Sequence, residues 1–276
     1  MALTKQIGGY QMNKIFKISF SWKNIDFLGV KFDDIYQEHV IELICNRINW
    51  RNSFSFCYVV TPNADHLVRL HRNPERYELL YKDAWLRLLD SRVVANLAKV
   101  MGFPNVPAVV TGSDLTAALV RHCVENNYNV TILGLTDEDA NALALNTGLK
   151  FRHYNPPMGF EYERAEFMRA VEFIEENPAR LILLAVGSPR QEMVARELAM
   201  RGKATGTALC IGASLGFLAG SERRAPVWLQ RAGFEWAWRL AQNPGRMWRR
   251  YLVDCPAVLQ LLWQERKNKS NADTAA

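Results

Sequence analysis

Nowhere in these 276 residues do two cysteines fall at CxxC spacing. The five present, Cys45, Cys57, Cys123, Cys210 and Cys255, are scattered and mostly sit among apolar neighbours. That pattern reads as reduced core residues rather than a zinc site or a disulfide framework. The five histidines are equally dispersed, none beside a cysteine or acid at ligand spacing, so no structural metal is expected. No apolar stretch reaches the roughly 18 residues of a spanning helix. The N-terminus, with Lys5, Lys14 and Lys17 among polar residues, lacks the apolar run and cleavage site of a secretory signal. The expectation is a cytoplasmic chain that meets any membrane from its surface. A Walker loop and a GxGxxG fingerprint are missing, which argues against ATPase and dehydrogenase chemistry. Nucleic-acid binding lacks a helix-turn-helix, zinc-finger or RNP signature, and there is no internal repeat.

What the chain does contain is apolar material, 49% of residues, with 22% charged. This suits one large domain plus an appendage. Lys and Arg number 34 against 28 Asp and Glu, a net charge of +6, so an acidic partner is expected: phosphate, nucleotide, nucleic acid or an anionic membrane.

Short β-rich runs alternate with helical patterns. Phe54 to Val60 precedes a helix after Pro62, Trp85 to Leu89 one after Ser91, and Val130 to Leu133 one after Thr136. Leu181 to Val186 leads into a helix near Ser188, and Ala208 to Ile211 into the stretch Gly212 to Gly220. Such alternation predicts an α/β fold, a Rossmann-like parallel sheet with helices on both faces. Ligands of these sheets bind beyond the carboxyl ends of the strands. The loops of interest are therefore Thr61–Asn63, Asp90–Ser91, Thr111–Asp114, Gly134, Gly187–Gln191 and Gly212–Gly220.

Asp90 ends an apolar run, so it reads either as a general base at the ligand edge or as the N-cap of the helix near Ser91. Gly187-Ser188-Pro189-Arg190-Gln191-Glu192 reads as a helix start with Ser188 as cap and Pro189 first, whose free N–H groups would also suit a phosphate. Gly112, Ser113 and Asp114 after Thr111 carry the same ambiguity. Asp137-Glu138-Asp139 has the form of a metal-binding DxD, but it follows Thr136 in what reads as a first helical turn, where the helix dipole favours acids.

After Ser221 the composition changes, which divides the chain into a core, 1–220, and a helical C-terminal appendage, 221–276. From Arg223 to Arg250 seven arginines face the single acid Glu235, interleaved with Trp228, Trp236, Trp238 and Trp248. Pro244 and Pro256 break this part into short helices, and Lys267–Ala276 reads as a frayed tail. Arg239, Arg246 and Arg250, with Arg249 alongside, would align on one helical face if Pro244 permits. Arginine with tryptophan is the composition of a surface that meets phospholipid headgroups, with Trp236, Trp248 and Arg250 as contacts.

These pieces together resemble the WecG/TagA/CpsF bacterial glycosyltransferases, family 26. The carriers are TPNADHL from Thr61, TGSDL from Thr111, GSPRQE from Gly187, IGASLGFLAG from Ile211 and the long block RRAPVWLQRAGFEWAWRLAQNPGRMWRRYL from Arg223. The resemblance implies inverting transfer of an N-acetylmannosamine-type or related hexose from a UDP-sugar to a polyprenyl-diphosphate-linked sugar at the inner face of the cytoplasmic membrane. No metal or other cofactor is implied. Asp90 matches the proposed base, with Thr61, Asn63 and Gln191 in the same pocket. Gly112, Ser113, Asp114, Gly134, Gly187 and Pro189 would bind the donor. Arg239, Arg246 and Arg249 match arginines of the appendage that cover the site. The sequence departs from the family at Ser91, where glycine is usual, and at Val109 or Val110, where an arginine is usual; if that arginine neutralises a diphosphate, this chain either uses another cation, such as Arg92 or Arg224, or binds a different donor. Rival readings are a glucosyltransferase of exopolysaccharide assembly, a catalytically impaired nucleotide-sugar-binding protein and a nucleic-acid-binding protein. A homo-oligomer is left open.

Overall fold

The computed structural model describes residues 22–50, 55–222, 226, 229, 235–242, 245 and 255–274. The chain opens with an antiparallel hairpin, β1 (Lys23–Phe27) and β2 (Val30–Asp34), and then α1 (Gln37–Asn49). There follow β3 (Cys57–Val60), α2 (Ala64–Arg72), α3 (Pro74–Lys82), β4 (Leu86–Arg87), α4 (Arg92–Val100) and α5 (Gly112–Glu125). Next are β5 (Val130–Leu133), α6 (Asp137–Thr147), β6 (Phe151–Tyr154) and α7 (Arg164–Glu176). The succession closes with β7 (Leu181–Leu184), α8 (Arg190–Arg201), β8 (Thr207–Cys210) and α9 (Ser214–Ala219), then the helices Glu235–Gln242 and Cys255–Thr274.

Strands β3 to β8 form one six-stranded sheet in the order β4-β3-β8-β7-β5-β6, with every pairing parallel. Strands β3, β5, β7 and β8 are buried at every position, as strands covered on both faces must be. Their side chains divide by the two-residue period. Tyr58, Val60, Ile182, Leu184, Ala208 and Cys210 join a core with residues of α2, α4, α7 and α8. Cys57, Val59, Leu181, Leu183, Val130, Ile132 and Leu209 join another with residues of α1, α5, α6 and α9. The sheet is thus an α/β sandwich of three layers, as the alternating pattern predicts.

The hairpin is fastened to β4 by a buried carboxylate. Asp33 Oδ2 accepts from the Arg87 backbone N–H at 2.9 Å and from its guanidinium at 3.2 Å, while Oδ1 accepts from Trp22 Nε1 at 2.9 Å and Asn24 Nδ2 at 2.8 Å. Four donors on one carboxylate offset the cost of burying its charge.

Helix starts follow their capping residues. Ser91 accepts from Val94 N–H at 3.2 Å and Thr136 from Asp139 N–H at 3.1 Å. The cap of α4 is therefore Ser91, and Asp90 is released from that role. Two expectations are corrected. Ser188 is not the cap of α8: the helix starts at Arg190 with Pro189 in the cap position, because the Ser188 hydroxyl is engaged by Arg69 instead. The segment from Lys267 is not a frayed tail, since helical backbone runs from Cys255 through Thr274. It contains no glycine or proline after Pro256, and Gln, Glu, Arg and Lys are good helix formers. Pro256 lies in the first turn of this helix, where its missing N–H is tolerated.

Val258, Leu261 and Leu262 of that last helix are buried in the same core as α2. Glu265 Oε2 accepts from the Leu28 N–H at 2.7 Å, pinning the helix to the hairpin turn. Among the described residues no helix is long and apolar enough to cross a membrane.

Candidate active site

From β3 the chain steps outward to β4, whereas β5 and β6 lie on the far side of β8 and β7. Loops leaving the carboxyl ends of the central strands consequently part from one another, and a crevice opens between them. A cleft of about 620 Å³ occupies this position. Its walls come from the loops after β3, β4, β7 and β8, from the cleft-facing side of α2, and from Ser113 of α5.

The reactive end of the cleft is defined by how closely backbone is allowed to approach. A β-carbon placed on Gly112 would lie 3.1 Å from Thr61 Oγ1, 3.2 Å from Asp90 Oδ2 and 3.7 Å from Ser214 Oγ. Three side-chain oxygens, from the loops after β3 and β4 and from the start of α9, therefore converge on the first turn of α5, and glycine at 112 is what admits them. Asp90 is half-buried, and its N–H donates to Pro62 O at 3.0 Å, tying it to the loop that carries Thr61. Thr61 donates to Cys210 O at 3.3 Å. Asn63 caps α2 by accepting from Asp65 N–H at 3.1 Å. A carboxylate so placed, open to a cleft and flanked by hydroxyls, is competent to take a proton from a bound alcohol.

Gln191 lines the cleft but its amide is already committed: Oε1 accepts from Gly212 N–H at 2.8 Å and Nε2 donates to Glu192 Oε1 at 2.8 Å. It therefore holds the loop after β8 against the start of α8. Glu192 is fully buried, and its Oε2 has no hydrogen-bond partner among the described residues. Burial pushes its carboxyl above the usual range, against the opposing hydrogen bond from Gln191. Burial likewise raises the Cys210 thiol well above its usual value, so this cleft cysteine is a poor nucleophile at neutral pH.

The other expected residues divide. Thr61, Asn63, Asp90, Ser113, Gly187 and Gln191 line the cleft together. Gly112 stands just behind them. Asp114 accepts from the Thr111 hydroxyl at 2.6 Å, closing the first turn of α5, and Pro189 is not among the lining residues. Gly134 is also absent from the lining; it is needed because any β-carbon there would come within 2.7 Å of the Ala185 backbone. Asp137, Glu138 and Asp139 occupy the first turn of α6, with Asp137 almost fully exposed. Arg224, Arg246, Arg249, Arg250 and Trp248, and the side chains of Trp236 and Arg239, lie outside the described residues.

Ser188 and Ser214 fall within loops the sequence singled out, without being named as site residues, whereas the row Asp65, His66, Arg69 and Arg72 was missed; all of them line the cleft. The α2 set had a readable signal: Asp65, Arg69 and Arg72 recur at helical spacing directly after the Thr61–Asn63 loop. For Ser214 the sequence marked only its loop, and the fold brings it to the Gly112 turn that Asp90 also approaches.

A doubly covered parallel sheet with a carboxylate in a cleft at the carboxyl edge of its strands defines the α/β class of the protein. The particular chemistry follows from kinship. The model of the glycosyl transferase WecG/TagA/CpsF family matches residues 25–272, and the chain belongs to that family. It is a glycosyltransferase. It is 26% identical over 217 residues to the N-acetylglucosaminyldiphosphoundecaprenol N-acetyl-beta-D-mannosaminyltransferase of Bacillus spizizenii, covering 76% of this chain and 80% of the relative.

Proposed function

We propose that the enzyme moves an N-acetylmannosamine-type hexose from a UDP-sugar to a polyprenyl-diphosphate-linked sugar in a single, inverting displacement. Asp90 removes the proton from the acceptor's sugar hydroxyl as that oxygen bonds to the donor's anomeric carbon. The bond to UDP breaks on the opposite face, and the diphosphate leaves with the bonding electrons. Thr61 and Asn63 orient the reacting sugars, and Gln191 fixes the Gly212 loop against which they rest.

The observation that carries this reading is the convergence of Asp90, Thr61 and Ser214 on Gly112 at the carboxyl edge of the sheet. The acceptor class is supported by the name of the Bacillus relative, whose substrate is a diphosphoundecaprenol-linked sugar. Metal-independent transfer is part of the proposal; it is supported by the placement of the Asp137–Asp139 acids on a helix start rather than in the cleft. With its acceptor's lipid in the bilayer, the enzyme works from the cytoplasmic membrane surface.

The deciding experiment is turnover of UDP-sugars with a diphosphate-lipid acceptor. Asp90→Asn is expected to lower turnover by about two to four orders of magnitude with UDP affinity nearly unchanged, as for loss of a general base. Chelator should leave the unaltered enzyme active. Near-normal turnover in Asp90→Asn would remove Asp90 as the base, and activity restored by added manganese or magnesium after chelation would refute metal independence.

A further inference from the structure

One wall of the cleft is left unused by the mechanism above. Asp65, Arg69 and Arg72 share one side of α2, and all three line the cleft. Arg69 is gripped from two directions. One terminal nitrogen pairs with Asp65 on its own helix; the other donates to Ser188 Oγ at 3.0 Å, on the loop after β7. An ion pair four residues apart on a helix is commonplace on surfaces and worth little. This one differs because Ser188 braces the guanidinium across to a second wall and leaves the Arg69 side chain only 22% exposed. The two bonds use two of its five N–H groups, which leaves three for a ligand in a fixed fork.

The charge balance of the cleft shows which groups could meet an anionic ligand. Its described lining carries the carboxylates of Asp65, Asp90 and Glu222 and, as permanent cations, Arg69 and Arg72 alone. A diphosphate entering beside Asp90 needs a nearby cation, and partial burial strengthens such a pairing over its value in water. Val109 and Val110, on the approach to α5, bring no charge, and Val110 is fully buried. We infer that Arg69, held in place by Asp65 and Ser188 and assisted by Arg72, binds the diphosphate of the nucleotide donor from the α2 wall. This rests on the UDP-sugar reading of the same cleft.

Calorimetric titration of the full chain with UDP, uridine and inorganic pyrophosphate tests it. Arg69→Gln should weaken UDP and pyrophosphate by about 10- to 100-fold and leave uridine unchanged, the pattern of a lost charge-assisted fork. Arg69→Lys, which keeps the charge but not the fork, should fall between. Ser188→Ala, which loosens the brace without removing charge, should weaken both phosphate ligands severalfold, and it serves if Arg69→Gln does not fold. A folded Arg69→Gln that binds UDP and pyrophosphate as the unaltered enzyme does would overturn the role of Arg69 alone. An unaltered enzyme that binds no UDP would overturn the donor reading, and this inference with it.

Discussion

Glu192, fully buried beside the Gln191 brace, carries a carboxyl whose proton is retained by burial. Its burial outweighs the hydrogen bond it receives from Gln191, so the folded protein holds its proton above the pH at which the unfolded chain has released it. Between the ordinary glutamate pKa and the raised one, the folded state binds more protons than the unfolded. Stability contributed by this group is therefore full at low pH and is lost as pH rises through that window. Glu192→Gln retains an acceptor for Gln191 and removes the titration. Its melting temperature should exceed that of the parent at pH 8 and converge with it near pH 4; a parallel pH profile in the two proteins would show that Glu192 is not the titrating group. The neighbouring sequence gave no hint of this, because Glu192 occupies a first helical turn where an exposed acid is unremarkable.

At the scale of elements, the cap of α4 decides what Asp90 is available to do. Ser91 lies in extended backbone at φ −155°, a conformation open to any residue, so its replacement of the glycine usual in the family imposes no strain. Its hydroxyl holds the helix start and leaves the Asp90 carboxylate beside Thr61 and Gly112. Ser91→Ala should cost about 1 kcal/mol and Ser91→Gly only a few tenths, as caps generally do. Chemical denaturation measures both, and equal losses would mean that the hydroxyl is not the cap in solution. Most elements were legible from pattern. The parallel strands β3, β5, β7 and β8 are fully buried and apolar apart from Thr131 and Thr207, and Thr136 and Ser91 mark helix starts as capping chemistry requires. Strand β6, Phe151–Tyr154, passed unnoticed because it is short, polar in its middle and only partly buried at the sheet edge.

On the scale of the whole molecule, the appendage is bound to the core at both ends. Strand β8 and α9 precede it, and helix Cys255–Thr274 packs on α2 and α4 after it. That last helix thus touches the element that carries Arg69 and Arg72. The basic arginines between these anchors are proposed to serve membrane and site together. Each is worth on the order of 1 kcal/mol near an anionic surface. Changing Arg239, Arg246, Arg249 and Arg250 together to Gln should abolish binding to anionic vesicles and also reduce transfer to a short-chain, water-soluble acceptor, with Arg239 the largest contributor to the catalytic loss. Vesicle binding and soluble transfer both at parental levels would exclude the module from the mechanism.

By itself the sequence determined the layered α/β class, the position of the ligand loops at the strand ends and the candidacy of Asp90, Thr61 and Asn63. These follow from local causes: apolar periodicity, capping residues and the chain order of strand and helix. Only the tertiary structure decided that Asp90 is not a cap, that Gln191 is a brace rather than a free ligand, and that Ser214 and Asp90 both converge on Gly112. The same holds for Arg69, whose partner Ser188 is 119 residues away. Such distant groups meet because the parallel sheet brings the ends of β3, β4, β7 and β8 to one edge. Register and strand order, rather than any neighbouring residue, fix those meetings.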